Sequence, residues 1–362
     1  MNDIRFPKVS IIILNYNGWK DTITCLESVF NINYKNYYVV IVDNGSSDNS
    51  ILFFKKWAEN KLDSVEHFPV HPYFHSMKKA KKPVQYIEKK HEEYFLGQEK
   101  NYIKYQERFI INSGRIDSGN NKLVIIRTNK NLGYAGGNNL GLRYSLKYLN
   151  TEYFLILNND TVVNANIVSK LLEIFHKDEK VGMCGPVEYS YKDPNKIQSA
   201  GGRFGLYTGI HDMIKKRPEK RVSVDWICGS CMLLKRDIIL NIGYFDERFF
   251  LYAEEVDYAY RVKKNRYKTV ISPETCIWHK GGKNNGYLYL FFTSRNRLLF
   301  SLKHLNGLQL LIFIPIHITK WIILRPLLDL LLKKGKNNFF NYIRALKQGY
   351  LAKNRKIRVY MH

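Results

Sequence analysis

Acidic and amide residues in this chain cluster directly after apolar runs. Asn158-Asn159-Asp160 follows Tyr153 to Leu157, and oxygen ligands at the carboxyl end of a strand suit a hard divalent cation. Glu254-Glu255-Val256-Asp257 follows the aromatic run Phe249 to Tyr252, and crowded carboxylates raise one another's pKa toward the range a general base needs. Both clusters also fit plain structural roles, an Asp capping a helix or acids at the positive end of a helix dipole. Asp43 opens Asp43-Asn-Gly-Ser-Ser-Asp48, placed where an open α/β sheet receives a nucleotide, or equally a turn with a helix cap. Gly133-Tyr-Ala-Gly-Gly-Asn-Asn139 is expected to bring bare backbone amides to a phosphate just before a helix. It is not the dinucleotide fingerprint, which belongs straight after the first strand, where this chain has Asn15-Tyr-Asn-Gly18. His279 becomes a metal ligand only if a carboxylate partners it. Cys228 and Cys231 have zinc-knuckle spacing, but no second pair closes a tetrahedral site, so their segment reads as a tight-turned buried strand.

The runs that must position these residues have the pattern of an α/β fold. Val9 to Leu14 and Tyr37 to Val42 read as buried strands, separated by a helical period from Asp21 to Phe30. Near-continuous apolar strands joined through a helix predict a parallel sheet covered on both faces. Leu123 to Ile126 and Tyr153 to Leu157 extend it, with helices expected at Asn138 to Leu149 and Ala165 to His176. Between them, about 58–121 is rich in Lys, Glu, Tyr and His and shows no dependable period; it reads as an insertion, partly helical or mobile. Val181 to Leu234 reads as short strands and loops.

Composition limits the class of function. The 362 residues carry 57 Lys and Arg against 32 Asp and Glu, a net charge of +25, which calls for a polyanionic partner. From Val262 to His362 there are 20 basic residues against only Glu274 and Asp329. Leu308 to Leu332 is apolar but broken by Pro315, Pro326 and charges, so it predicts contact with a membrane surface rather than a span. Five cysteines make no disulfide framework in a chain this long, which favours a reducing, cytoplasmic compartment.

Taken in order, Val9-Ser-Ile-Ile-Ile-Leu-Asn-Tyr-Asn17, Val42 to Asp48, Asn131 to Asn139, Leu155 to Thr161 and Gly243 to Asp257 resemble the family-2 glycosyltransferases, in particular their rhamnosyltransferase-like branch. The resemblance implies a GT-A fold: a Rossmann-like nucleotide-binding half with a mixed, mainly parallel sheet, continuous with an acceptor-binding half. On that reading residues 1–286 form the transferase domain, and 287–362 are a basic, apolar helical C-terminal extension. It implies inverting transfer from a nucleoside-diphosphate sugar, dTDP-rhamnose or a UDP-sugar, to a glycan or lipid-linked acceptor in surface polysaccharide or glycoconjugate synthesis. Asn15, Asp43, Asn44 and Ser46 would then meet the nucleotide, with Gly136, Gly137, Asn138 and Asn159 on the donor side. Asp160 and His279 would hold Mn2+ or Mg2+. Glu255 would be the base, Glu254 its neighbour, and Asp257 would hold the acceptor or tune the base. Two substitutions depart from the family pattern: Asn158 replaces the first metal-site Asp, and Glu255 is one methylene longer than the usual base.

Three rivals fit less well. A sugar nucleotidyltransferase needs a Gly-rich, basic loop after the first strand, a dehydrogenase needs the missing fingerprint, and no recognition motif for nucleic acid accompanies the basic tail. The expected placement is peripheral, on the cytoplasmic face of an anionic membrane.

Overall fold

Val9–Asn15 (β1) and Tyr37–Asp43 (β2) run parallel in the register Val9↔Tyr37 to Asn15↔Asp43, joined through helix α1 (Trp19–Val29). They belong to a computed structural model that describes residues 6–62, 79–98, 102–114, 122–205, 210–281, 287–324, 338–355 and 357–361. Along the chain follow α2 (Ser50–Ala58), β3 (Tyr86–Gln98), β4 (Tyr102–Gly114), β5 (Leu123–Arg127), α3 (Gly133–Tyr148), β6 (Tyr153–Asn158), β7 (Thr161–Val163) and α4 (Ile167–Lys177). Next come β8 (Val181–Ser190), β9 (Ile197–Ser199), β10 (Gly202–Gly205), β11 (Ile210–Met213), β12 (Val222–Val224), β13 (Cys231–Lys235), α5 (Arg236–Ile242), α6 (Glu254–Lys264) and β14 (Lys268–His279). The C-terminal part holds α7 (Tyr287–His304), α8 (Gly307–Ile318), a π-helical turn (Thr319–Leu324), α9 (Asn338–Lys353) and β15 (Ile357–Met361).

One mixed, mainly parallel sheet has the order β12-β14-β8-β13-β6-β1-β2-β5-β3-β4-β15. Its parallel centre is β6-β1-β2-β5-β3. Side chains alternate between two apolar layers because successive residues of a strand face opposite ways. Ile11, Ile13, Val39 and Ile41 pack with α1, α2 and α4, while Ile12, Val40 and Val42 pack with α3, α5 and α6. Glycine lets α3 lie close on the sheet. A Cβ at Gly137 would stand 2.3 Å from Leu14 Cδ1, and one at Gly141 would stand 2.5 Å from Ile12 Cγ2.

The structure departs from the sequence reading in three places. The described part of the insertion is not helical; β3 and β4 form a hairpin that joins the sheet beside β5. Its strands escaped notice because they bury ion pairs instead of alternating apolar residues. Glu88 meets Lys55, and Glu107 accepts from Arg143 Nε at 2.9 Å. Helix α3 begins at Gly133 rather than Asn138, since packing on β1 favours the glycines that propensity counts against. Finally, the C-terminal helices end in a strand, β15, parallel to β4. Among the described residues no helix is long and apolar enough to cross a membrane.

Candidate active site

The chain leaves β1 toward β2 and β5 on one side and returns to β6 on the other. The crevice at the carboxyl ends of β1 and β6 is therefore the point where an open α/β sheet takes a ligand. Three loops meet there through side-chain amides. Asn15 Nδ2 donates to Asp43 Oδ1 (2.8 Å) and Ser46 Oγ (3.1 Å), and Thr22 Oγ1 donates to Asn15 Oδ1 (2.8 Å). Asn159 Nδ2, from the loop after β6, donates to Thr22 Oγ1 (3.0 Å) and Gly18 O (3.3 Å). Burial raises the Asp43 carboxyl above its usual range, against the hydrogen bonds from Ser46 and Asn15. Asn44 accepts from Leu132 N (2.9 Å) and donates to Asn131 Oδ1 (2.9 Å) and Gly133 O (3.1 Å). Asn15, Asn44 and Asn159 thus fix the loops of the crevice, and Ser46 is the half-buried residue at its mouth.

Gly136, Gly137 and Asn138 do not form a phosphate loop. All three are buried in the first turns of α3, and Asn138 donates to Tyr134 O (3.0 Å). The amides at the start of that helix are already taken. Phe250 O accepts from Tyr134 N (2.6 Å) and Ala135 N (3.3 Å), and Asn131 Oδ1 accepts from Gly133 N (2.8 Å).

Sheet register brings the two expected metal ligands together. β7 pairs antiparallel with β14 so that Thr161 lies opposite His279, which sets His279 Nε2 3.1 Å from Asp160 Oδ1. Glu188, unnoticed in the sequence, lies on β8 and meets His279 Nδ1 at 2.6 Å; its second oxygen accepts from Ser230 Oγ (2.7 Å). A lone carboxylate directly after the uncharged run Val181 to Val187 was the available signal. Burial alone would depress the imidazole, but Asp160 and Glu188 outweigh it and raise His279 to about 10. Both carboxylates are held below their usual range despite burial, because the imidazolium meets them.

This donor set fits a divalent cation. A carboxylate oxygen and a ring nitrogen converge while a second carboxylate fixes the far ring nitrogen, and the imidazolium proton marks where positive charge is wanted. Among the described residues no cluster of three or more such side chains could hold a metal unaided.

The acidic cluster divides into two environments. Glu254 and Glu255 open α6 after a turn in which Phe250 (φ 63°), Tyr252 (φ 67°) and Ala253 (φ 68°) are all left-handed, a conformation that costs non-glycine residues about 1–3 kcal/mol each. Each glutamate has a buried Oε2 that accepts no hydrogen bond among the described residues. Burial, and then the charge of Glu255, pushes Glu254 well up. Burial also raises Glu255, to about 7, against the backbone amides at the helix start. The turn 228–230 lies near both this pair and the His279 cluster: Ser230 bonds Glu188, and burial and then the charges of Glu188 and Glu255 raise the half-buried Cys228 thiol.

Asp257 is different: it was expected to hold the acceptor or tune the base, and its partners show that it is tied into the fold while its charge also helps raise Glu254. It is fully buried and meets Arg261 Nε (2.9 Å), Lys303 Nζ (2.6 Å) and His304 Nε2 (2.7 Å). Although burial opposes ionisation, the Arg261 charge, the hydrogen bond to His304 and the Lys303 charge hold its carboxyl far below the usual range. Asp257 therefore fastens α7 onto α6.

Residues 114–298 match the family described as Glycosyltransferase like family 2, and residues 10–76 match Glycosyl transferase family 2. The chain belongs to this family. Among curated proteins, the low-salt glycan biosynthesis hexosyltransferase Agl10 of Haloferax volcanii is 32% identical over 151 residues, covering 41% of this chain and 46% of that protein. The N-acetylglucosaminyl-diphospho-decaprenol L-rhamnosyltransferase of Mycobacterium tuberculosis is also 32% identical over 151 residues, covering 37% of this chain and 49% of that protein. The match spans about half the length of each relative. A solved mannosyltransferase, PcManGT from Pyrobaculum calidifontis in complex with GDP-Man and Mn2+, superposes with a TM-score of 0.51 at 14% identity, over 96% of this chain and 74% of that one. The family-2 chain therefore has the GT-A fold.

Its reassigned aspartate is testable. Asp257→Ala leaves the Arg261 and Lys303 charges and the His304 ring facing a buried gap, and breaking such a pair costs about 3–5 kcal/mol. Urea unfolding should show a loss of that order. Wild-type stability combined with lost transfer would instead return Asp257 to the chemistry.

Proposed function

We propose that this protein is an inverting, divalent-cation-dependent glycosyltransferase that moves a sugar from a nucleoside diphosphate to a hydroxyl of a glycan or lipid-linked acceptor. The observation that carries this reading is Glu255, a carboxylate raised to about 7 with one oxygen uncommitted, in a chain that also holds the cation-fitting pair Asp160 and His279. As a carboxylate, Glu255 takes the acceptor hydroxyl proton while that oxygen attacks the anomeric carbon on the side opposite the departing diphosphate. Burial and the Glu255 charge raise Glu254 beside it, which limits the charge at the helix start. Asp160 and His279 would hold Mn2+ or Mg2+, which when bound neutralises charge on the leaving diphosphate. Asp43 and Ser46 would receive the nucleoside at the end of β2.

The family match and the names of the relatives support a sugar-nucleotide donor, with dTDP-rhamnose or a UDP-sugar first in line. The diphospho-decaprenol in the name of the mycobacterial relative supports a lipid-linked acceptor. The tail supports a membrane-side location. α8 turns Leu308 (70% exposed) and Leu311 (72% exposed) outward together with Ile312 and Ile318, within a region of strong positive charge. That combination suits the anionic, cytoplasmic face of a membrane.

Glu255→Gln keeps the shape of the side chain but cannot accept a proton. Transfer from the sugar nucleotide that the wild type turns over should fall by about 10²- to 10⁴-fold with donor binding retained. Because the working form is the carboxylate, wild-type kcat should rise with pH through about 7 and level off above it. A loss below about threefold, with the pH profile unchanged, would assign the proton to another group. Flotation with vesicles tests the location: binding is expected to anionic vesicles at low salt, weakened by high salt and by Leu308→Asp/Leu311→Asp. Failure to float with anionic vesicles at low salt contradicts it.

A further inference from the structure

We propose that Asn296, in the C-terminal helix α7, is a positioning residue that holds the left-handed turn before α6 and so sets Glu254 and Glu255 in place. The proposal rests on the reading of Glu255 as the base. Asn296 is fully buried, and its Nδ2 stands 2.8 Å from Phe249 O, 2.8 Å from Leu251 O and 2.6 Å from Tyr252 O. One amide thus gathers three carbonyls of a five-residue turn. Its orientation is fixed by the neighbouring residue. Arg295 donates to Asn296 Oδ1 and also to Arg248 O (2.7 Å), so the oxygen of the amide is occupied and the nitrogen faces the turn.

The turn needs such a donor because nothing in its own sequence favours its shape. Phe250, Tyr252 and Ala253 all have positive φ, and none of them is glycine. The carbonyls of such a turn point inward, where an unpaired acceptor is penalised. On its other side, Phe250 O is held by Tyr134 N and Ala135 N of α3. The turn is therefore clamped between two helices, and Ala253, its last left-handed residue, immediately precedes Glu254.

Among the described residues, the Asn15–Asp43–Ser46 cluster and the Asp160–His279 pair share no hydrogen bond with Asn296 or with residues 249–253, and the turn meets the nucleotide side only through the start of α3. Loss of the clamp should therefore lower kcat and leave nucleotide binding alone. Asn296→Asp keeps the partner of Arg295 but offers no donor to the three carbonyls, and Asn296→Ala removes both. For each folded variant, kcat is expected to fall at least tenfold, with the Kd for UDP, dTDP or GDP in Mn2+ unchanged within twofold. Ala253→Gly added to either variant should recover at least threefold of kcat, because glycine takes positive φ without a steric cost. Retention of kcat within threefold overturns the proposal, as does a parallel fall in nucleotide affinity, an absence of rescue, or unfolding of both variants with nucleotide binding lost. Glu255→Gln separates this outcome from the underlying reading: if it abolishes transfer while the Asn296 variants stay active, the base stands and the clamp falls.

Discussion

A buried carboxylate ionises only where a cation or a set of donors meets it, and this protein uses both situations within one turn of α6. Asp257 has Arg261, Lys303 and His304 around it and is held ionised. Glu255, two residues earlier, has only the backbone amides at the helix start and is raised to about 7. The same contrast separates Glu255 from Asp160, which the His279 imidazolium holds ionised. Two carboxylates in different charge environments can take different roles, one as a proton acceptor and one as a permanent anion for a cation. This division depends on which cations the fold brings to each site.

Helix α7 supplies the Lys303 cation and the His304 ring. Lys303 reaches Asp246 at 2.7 Å and Asp257 at 2.6 Å, while Arg295 and Asn296 from the same helix grip the backbone of the turn that leads into α6. The C-terminal segment is thus joined to the acidic helix by charge and by hydrogen bonds. The residues matched to the family end at 298, inside this helix, so the match includes Asn296 but not Lys303 or His304.

Much of the sheet was legible in the sequence because Val9 to Leu14, Tyr37 to Val42 and Tyr153 to Leu157 are β-branched or aliphatic runs that suit only the inside of a parallel sheet. The pairing of Asp160 with His279 was not visible from spacing, since more than a hundred residues separate them and register alone joins them. Glu188 and Asn296 were hidden for a related reason: their roles arise from contacts with distant strands and loops, and neither a carboxylate at the end of Val181 to Val187 nor an amide within the polar stretch Thr293 to Arg297 gives a hint of its partner. The glycines of α3 misled because a tight helix-sheet contact and a phosphate loop ask for the same residue. Asp257 misled because proximity in sequence to Glu255 says nothing about the side chains that α7 brings to it.

The most direct test of this account is a crystal structure with Mn2+ and whichever of UDP, dTDP or GDP binds. The account predicts the cation on Asp160 and His279 Nε2, the diphosphate in the crevice between the carboxyl ends of β1 and β6, and the uncommitted oxygen of Glu255 facing the sugar side of that diphosphate. A diphosphate seated on the start of α3 at Gly133 to Gly137, or a cation with no contact to Asp160, would contradict it.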